Sequence, residues 1–225
     1  MGGQACVLYG AAEFSRDIDF AIVASPANAA ALRRALASLQ AEVIAVPPFD
    51  LTHLRKGHAV HFRCKHPEAA GFRIDVMSRM RGVEPFAKLW ARRTSMEVAA
   101  GLIHDLLSLP DLVLAKKTQR DKDWPMIRRL VEADYFAGRH DGKPKQLSFW
   151  LRELRTPSLL CDLASSTGSM TRKLAVERPL LSLALQADVP ALERALLEEE
   201  GREREEDRRY WRPLRRELEQ MRHES

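Results

Sequence analysis

The stretch Arg16-Asp17-Ile18-Asp19-Phe20-Ala21-Ile22 alternates acidic and apolar side chains. In a β-strand, residues two apart lie on the same face, so Asp17 and Asp19 are expected to project together while Ile18 and Phe20 enter the core. Two carboxylates held side by side repel one another unless a cation neutralises them. A hard divalent ion such as Mg2+, which prefers oxygen ligands, is the usual solution. The stretch therefore predicts a strand with a metal site on one face.

A second acidic strand is predicted at Arg73-Ile74-Asp75-Val76. Asp75 has apolar neighbours on both sides, so its carboxylate is expected on the opposite face from theirs. Three aspartates on one face of adjacent strands would suit two metal ions, which lower the pKa of an attacking hydroxyl and stabilise charge on a transferring phosphoryl group. Asp17, Asp19 and Asp75 are therefore the candidate catalytic and metal-binding residues. An Asp-x-Asp pair alone is equally compatible with an exposed strand edge or turn.

A glycine pair, Gly2-Gly3, precedes the first acidic strand. Glycine lets the backbone approach phosphate oxygens at distances that a β-carbon would obstruct. Glycine pairs are common in turns, so this pair is a weak signal by itself. Its combination with a short spacer, an Asp-x-Asp strand and a later apolar-Asp-apolar strand is much more specific.

This combination resembles the nucleotidyltransferase superfamily that includes DNA polymerase β, whose pattern is an apolar residue, Gly-Gly or Gly-Ser, a spacer and then Asp-x-Asp or Asp-x-Glu. Residues 2–22, followed by the segment at 112–124, look like the small bacterial nucleotidyltransferases, some of which are toxins of toxin-antitoxin or abortive-infection systems. The resemblance covers residues 1–135. It implies an α+β fold, in which a small mixed β-sheet is flanked by helices and followed by a C-terminal helical region.

The resemblance also implies a role for each matching residue. Asp17 and Asp19 would bind both Mg2+ ions, and Asp75 would hold the catalytic ion near the acceptor hydroxyl; Mn2+ is the alternative metal. The substrate would be an NTP such as ATP. Its triphosphate would be surrounded by Gly2, Gly3 and Ser15.

In relatives, a basic residue on the helix after the sheet contacts the nucleotide phosphates. Lys116 and Lys117 match it, and adjacent residues project about 100° apart on a helix, so one of them is expected to reach the site. We favour Lys116, with Arg120 one turn later on the same face. The alternative is a solvated helix face. Relatives also have a helix and a strand before the glycine pair, whereas only Met1 precedes Gly2 here, which implies an upstream start or a shortened first strand.

The chain is predicted to divide into two regions. Residues 1–109 mix strands with helices and form the catalytic α/β region, whereas residues 110–225 form a helical region. Ala5–Tyr9 suits a short strand or a helix, and the resemblance implies the helix. A helix is predicted from Pro26 with Ser25 as its N-cap. Further strands are predicted at Ile18–Val23, Val43–Val46, Val60–Cys64, Phe72–Met77 and Glu97–His104.

The helical region is predicted to contain five or six helices. Asp123 is a candidate cap of a helix with Pro125 near its start, and the last helix covers Val189–Gln220, with Gly201 and Pro213 as candidate breaks. The mixed charges of Glu198–Arg216 predict a solvated face with i,i+4 ion pairs, a partner-binding helix being the alternative. The other helices are predicted at Lys145–Arg155, Pro157–Ala164 and Arg178–Leu185.

The composition is typical of an ordinary globular protein, with 225 residues, 45% hydrophobic and 30% charged. Its apolar runs are shorter than the roughly 20 residues that a membrane span needs, and the N-terminus lacks a signal-like pattern, so a cytoplasmic protein without a membrane partner is expected. Three cysteines without a CxxC pair support neither a disulfide framework nor a zinc knuckle. The formal charge of +5 permits a polyanionic partner without requiring one.

The sequence predicts an enzyme, an Mg2+-dependent nucleotidyltransferase that moves an NMP from an NTP to an acceptor hydroxyl. The acceptor stays open among RNA or tRNA, a small molecule and a protein hydroxyl. The alternative is an inactive nucleotidyltransferase-fold protein with a binding or regulatory role, such as one half of a toxin-antitoxin pair with a protein partner. P-loop, Rossmann and GxSxG motifs are absent. His53, His58 and His61 match no zinc pattern and are expected to be ordinary surface or loop histidines.

Overall fold

The two acidic stretches form neighbouring strands of one sheet. The structure, a computed structural model, describes residues 1–224 and places β1 at Asp17–Ala21 and β4 at Arg73–Met77 as a parallel pair. On its other side β4 pairs antiparallel with β3 (Val60–Arg63), which pairs antiparallel with β2 (Glu42–Val43). The strand order is β1-β4-β3-β2, so the sheet is mixed and β1 is an edge strand.

One face of this sheet packs against two helices, α2 (Pro26–Ser38) and α3 (Leu51–Lys56). Apolar residues alternate along the central strands, and the buried cluster that they form with the helices comprises Leu36, Leu54, Val60, Phe62, Cys64, Ile74 and Val76. The start of α2 is as predicted: the Ser25 hydroxyl accepts a hydrogen bond from the N–H of Asn28 at 3.3 Å, and Pro26 begins the helix. The polar residues of the strands lie on the other face.

The remaining elements before Lys117 frame the sheet. Ala5–Tyr9 is helical for most of its length, as the resemblance implied, since α1 covers Gly2–Leu8. The single strand predicted at Glu97–His104 is wrong: a turn with Gly101 at φ +74° splits it into a hairpin. The other elements are a short 3-10 helix at Pro67–Ala69, α4 (Phe86–Ala91), β5 (Thr94–Ala99), β6 (Leu102–Leu106) and α5 (Leu109–Lys116).

The chain after α5 is helical, as predicted. Its helices are α6 (Asp123–Gly138), α7 (Pro144–Glu153), α8 (Pro157–Ser166), α9 (Gly168–Leu174), α10 (Leu181–Leu185) and α11 (Val189–His223). Two predictions fail here. Asp123 is the first residue of α6 rather than its cap. Its carboxylate accepts hydrogen bonds from Thr118 at 2.5 Å and from Arg120 at 2.7 Å. Neither Gly201 nor Pro213 breaks α11.

The chain forms two compact units. The first comprises Met1–Lys116 together with the chain from Arg208 onward, and the second comprises Lys117–Asp207. The boundary therefore lies a few residues after the predicted one, and the last part of α11 belongs to the unit that contains the sheet. No helix within residues 1–224 is both long enough and apolar enough to cross a membrane.

We predict that Leu54→Ala destabilises the first unit strongly. Leu54 is completely buried between α3 and the sheet, so the substitution leaves a cavity and lowers the free energy of unfolding by about 2–5 kcal/mol. Urea denaturation measures the change. The control is Leu102→Ala in β6, where the leucine is 51% exposed and the loss should stay within about 0.5 kcal/mol. Equal losses for the two variants would contradict the core described above.

Candidate active site

The register of the sheet brings the three predicted aspartates to one face. In the parallel pair, Asp19 lies opposite Asp75, and Asp17 lies opposite Arg73. Side chains of directly paired residues project from the same face, and residues two apart share a face, so all three carboxylates project from the surface opposite the apolar core. On the other side of β4, His61 lies opposite Asp75 in the antiparallel pair.

The start of α1 packs directly against Asp19. The Gly3 N–H donates a hydrogen bond to Asp19 Oδ2 at 3.3 Å, and the Met1 amino group donates to the backbone oxygen of Asp19 at 2.8 Å. A β-carbon on Gly2 would lie 1.8 Å from Asp19 Oδ2, and one on Gly3 would lie 2.5 Å from Ser15 Oγ. The structure therefore brings Gly2, Gly3 and Ser15 together with Asp19, and only glycine fits at position 2.

Asp19 is electrostatically strained in this position. Burial raises the pKa of Asp19, and the Asp75 carboxylate beside it raises that pKa further. The Met1 amino group, the Gly3 N–H and Lys116 act in the opposite direction without cancelling the rise. Burial and the neighbouring carboxylate together therefore disfavour the ionised form of Asp19.

Asp75 is held in its ionised form by two basic side chains. Its Oδ1 accepts a hydrogen bond from Arg73 Nε at 2.7 Å and lies 2.8 Å from His61 Nδ1. Burial by itself would raise the pKa of Asp75, but the hydrogen bonds with His61 and Arg73 outweigh it and hold that pKa below its ordinary value. Both contacts use Oδ1, which leaves Oδ2 as the atom that a cation would bind.

Sequence reasoning missed the roles of His61 and Arg73. His61 is not an ordinary surface histidine, because it contacts a candidate catalytic carboxylate. The alternation around His61 predicted a strand, but only the strand order places that strand next to β4. His58 also departs from the prediction: it is 1% exposed, and its Nε2 lies 2.9 Å from Glu217 of α11.

The two lysines at the end of α5 have different surroundings. The charge of Lys116 lowers the pKa of Asp19 and that of the Met1 amino group. Lys116 therefore lies near the acidic face, which is the face of the sheet that carries Asp17, Asp19 and Asp75. Lys117 instead forms an ion pair with Glu153 at 2.9 Å. This arrangement agrees with the preference for Lys116.

Arg120 does not lie where the sequence placed it. The helix ends at Lys116, so the prediction that Arg120 follows one turn later on the same helical face is wrong. Its Nε bonds Asp123 Oδ2 at 2.7 Å within the second unit. Hydrogen bonds from Thr118 and Arg120 to the Asp123 carboxylate hold the segment between α5 and α6 in a non-helical path.

The acidic face offers the donor type that a hard divalent cation prefers. Its carboxylate oxygens suit Mg2+ or Mn2+, and the repulsion that raises the pKa of Asp19 is the kind that a bound cation relieves. As the side chains stand, no group of three or more His, Cys, Asp or Glu residues within 1–224 is arranged to hold a metal. Metal binding would therefore require the carboxylates of Asp19 and Asp75 to move.

A scan of protein-family models finds none that matches this chain, and none of the curated proteins matches it. The sequence motif and the geometry around it are therefore the basis for assigning a function.

We predict that Gly2→Ala is more destabilising than Gly10→Ala. Both glycines have positive φ, +67° and +75°, so each alanine carries a similar backbone cost of about 1–2 kcal/mol. Only at position 2 would the added carbon also meet the Asp19 carboxylate; nothing lies within 4 Å at position 10. Thermal denaturation of the two variants measures the difference. Equal melting temperatures would show that α1 does not pack against Asp19 as described.

We also predict that Asp75→Asn lowers the pKa of Asp19. The substitution removes a negative charge that raises this pKa, so ionisation of Asp19 becomes easier. A carbon-detected NMR titration of the aspartate carboxyl groups measures the change. Asp50→Asn, at the N-cap of α3, is the matched control and should leave the pKa of Asp19 in place. An unchanged value in Asp75→Asn would refute the proximity of the two carboxylates.

Proposed function

We propose that this protein is a metal-dependent nucleotidyltransferase, which transfers a nucleoside monophosphate from an NTP to an acceptor hydroxyl and releases pyrophosphate. The observation that carries the proposal is the register of β1 and β4, which sets Asp19 opposite Asp75 on the polar face of the sheet. The sequence resemblance supplies the class of reaction. The glycines that the resemblance assigns to the triphosphate pack against Asp19 and Ser15, beside the carboxylates.

Each residue of the face has a role in this proposal. Asp17, Asp19 and Asp75 would hold Mg2+, which when bound neutralises charge on the phosphates and lowers the pKa of the acceptor hydroxyl. Gly2, Gly3 and Ser15 would surround the triphosphate. Lys116 adds positive charge on the same side, since its field already reaches Asp19.

Arg73 and His61 define the chemistry of Asp75. Because they hold its pKa below the ordinary range, Asp75 stays ionised at neutral pH and is a weak base. A carboxylate of this kind serves as a constant anionic ligand and accepts the acceptor's proton only once the pKa of that hydroxyl has been lowered. Asp19, whose pKa is raised, gains the most from a neighbouring cation.

The test is label transfer with aspartate variants. Each α-labelled NTP is supplied with Mg2+ to the protein and, in separate pools, total RNA, extract protein and small metabolites. We expect one pool to become labelled, and Asp17→Ala, Asp19→Ala and Asp75→Ala each to reduce labelling by about 100-fold or more, since each removes a group that stabilises transferring charge. The control is Asp162→Ala, at an exposed position of α8, which should retain wild-type labelling.

Retained labelling in all three aspartate variants would refute the assignment. Melting temperatures with Mg2+ and each NTP separate the remaining outcomes, because a ligand at about 100 times its Kd stabilises a protein by about 2.7 kcal/mol. A rise in melting temperature without labelling in any pool would favour the binding or regulatory alternative. No rise and no labelling would count against the nucleotide site itself.

A further inference from the structure

Arg73 lies among the negative charges of the acidic face. It is directly opposite Asp17 in the register of β1 and β4, and its Nε donates to Asp75 Oδ1 at 2.7 Å. The hydrogen bond to Asp75 raises the pKa of Arg73, and the charges of the three aspartates raise it further, while partial burial acts against the rise. The carboxylates that are proposed to hold Mg2+ thus already act on one positive side chain of the protein itself.

The contacts of Arg73 and its two neighbours are not all hydrogen bonds at the same time. Arg73 Nη2 lies 3.0 Å from His61 Nδ1, and the same Nδ1 lies 2.8 Å from Asp75 Oδ1. A guanidinium nitrogen only donates and an ionised carboxylate only accepts, whereas one imidazole nitrogen either donates or accepts. His61 Nδ1 therefore serves either Arg73 or Asp75. If Arg73 left this cluster, His61 would donate to Asp75 without competition.

The position of Arg73 allows it to leave. Its side chain is 37% exposed, whereas that of Asp75 is 12% exposed. A long arginine side chain reaches several rotamers from one backbone position. It extends from the polar face of the sheet, so its movement opens no cavity in the apolar core. The guanidinium group can therefore move into solvent while the strand stays in place.

A second arginine indicates what Arg73 would meet there. Arg63 of β3 is exposed and lies directly opposite Arg73 in the antiparallel pair with β4, so both side chains project from the polar face. Like charges directly opposite one another in a sheet are destabilising. An anion with several charges would offset this repulsion, and the planar guanidinium group forms paired hydrogen bonds with phosphate oxygens.

We propose that Arg73 is a displaceable counter-ion of Asp75, and that the acidic face therefore accepts a divalent cation as its polyphosphate complex rather than as the free ion. This inference rests on the proposed function, because it describes how that site takes its NTP. Without metal, Arg73 stays paired with Asp75. When the complex binds, Arg73 turns to the phosphate oxygens, and His61 keeps Asp75 in position through its Oδ1.

The exchange also explains a disagreement within the acidic face. Its carboxylates are of the type that a hard cation prefers. Within residues 1–224, however, no group of three or more His, Cys, Asp or Glu side chains is arranged to hold a metal. Arg73 and His61 hold the Asp75 carboxylate in its present position. An arrangement that a metal could occupy would form only after Arg73 has moved away.

The first test measures the binding of Mn2+ alone by electron paramagnetic resonance at about pH 8, where the carboxylates are ionised. Arg73→Met should bind Mn2+ about fivefold more tightly than the wild type, because a positive charge close to a bound cation opposes its binding. Arg73→Lys keeps that charge and should stay within about twofold of the wild type. The matched control is Arg34→Met, at an exposed position of α2 on the other side of the sheet. It should also stay within about twofold, because salt screens a distant surface charge.

The second test adds inorganic tripolyphosphate, which contains no nucleoside, together with Mn2+. Arg73→Met should bind the manganese–tripolyphosphate complex about tenfold more weakly than the wild type, since it loses charged hydrogen bonds to phosphate. Isothermal titration calorimetry measures this affinity, and melting curves show that each variant is folded. Opposite changes in the two affinities are the signature of the exchange, because a merely structural role of Arg73 would lower both.

Three results would overturn the inference. Equal or weaker binding of Mn2+ alone by Arg73→Met would show that Arg73 does not compete with the metal. An unchanged affinity of this variant for the complex would show that Arg73 does not meet the phosphates. The same pair of changes in Arg34→Met would show an effect of net charge alone.

The label-transfer experiment separates this inference from the proposed function. If the two affinities change in opposite directions but no NTP labels any pool, the exchange at Arg73 stands and the transferase assignment fails. If labelling depends on the three aspartates but neither affinity changes in Arg73→Met, the transferase assignment stands and the exchange fails. If the wild type binds neither Mn2+ nor the complex, both fail.

Discussion

The parallel pairing of β1 with β4 is the constraint on which the rest of the site depends. It sets Asp19 opposite Asp75, with Asp17 one alternation earlier on the same face. A shift of the register by one residue would turn these carboxylates toward the apolar core in which Ile74 and Val76 are buried, so the core itself enforces the alignment. The prediction that Phe20 enters this core is wrong, because its side chain is 46% exposed on the edge strand β1. The buried cluster of α2, α3 and the sheet stabilises the fold and fixes the positions of the carboxylates together.

Basic side chains and N–H groups surround the carboxylates of Asp19 and Asp75 on the acidic face. Arg73 and His61 bind one oxygen of Asp75, while the N-terminal amino group and the Gly3 N–H bind Asp19. These contacts keep the pKa of Asp75 low, but that of Asp19 stays raised. In the proposed function, a bound cation would relieve the unfavourable surroundings of the Asp19 carboxylate.

Local signals in the sequence predicted a good part of this arrangement. Period-two alternation predicted both acidic strands, and Ser25 with Pro26 predicted the start of α2. The resemblance implied a basic residue on the helix after the sheet, and the 100° spacing implied that one of Lys116 and Lys117 reaches the site. The candidate cluster of Asp19, Gly2, Gly3 and Ser15 is also brought together by the structure. For the strands and the start of α2 the deciding information lies within a few residues of the chain, whereas the resemblance implied the grouping of Gly2, Gly3 and Ser15.

The missed position of His61 depends on a contact between distant segments, because nothing near His61 indicates that β3 will lie beside β4. The end of α5 at Lys116 has a local cause: Thr118 and Arg120 form hydrogen bonds with Asp123, and helix propensity does not encode such side-chain contacts. Pro213 was a reasonable predicted break, since proline within a helix costs about 3 kcal/mol. The helix nevertheless continues through Pro213. Tyr210 and Leu214, which lie before and after this proline in the sequence, are both next to Gly57.

The proposed metal site is tested most directly by a crystal of the protein grown with Mn2+ and a non-hydrolysable NTP, with the anomalous signal of manganese used to locate the metal. We expect an anomalous peak between the Asp19 and Asp75 carboxylates, with the triphosphate over the start of α1. The proposal would be contradicted if nucleotide or manganese bound elsewhere, with no peak on the acidic face and with Asp75 still hydrogen-bonded to Arg73 and His61.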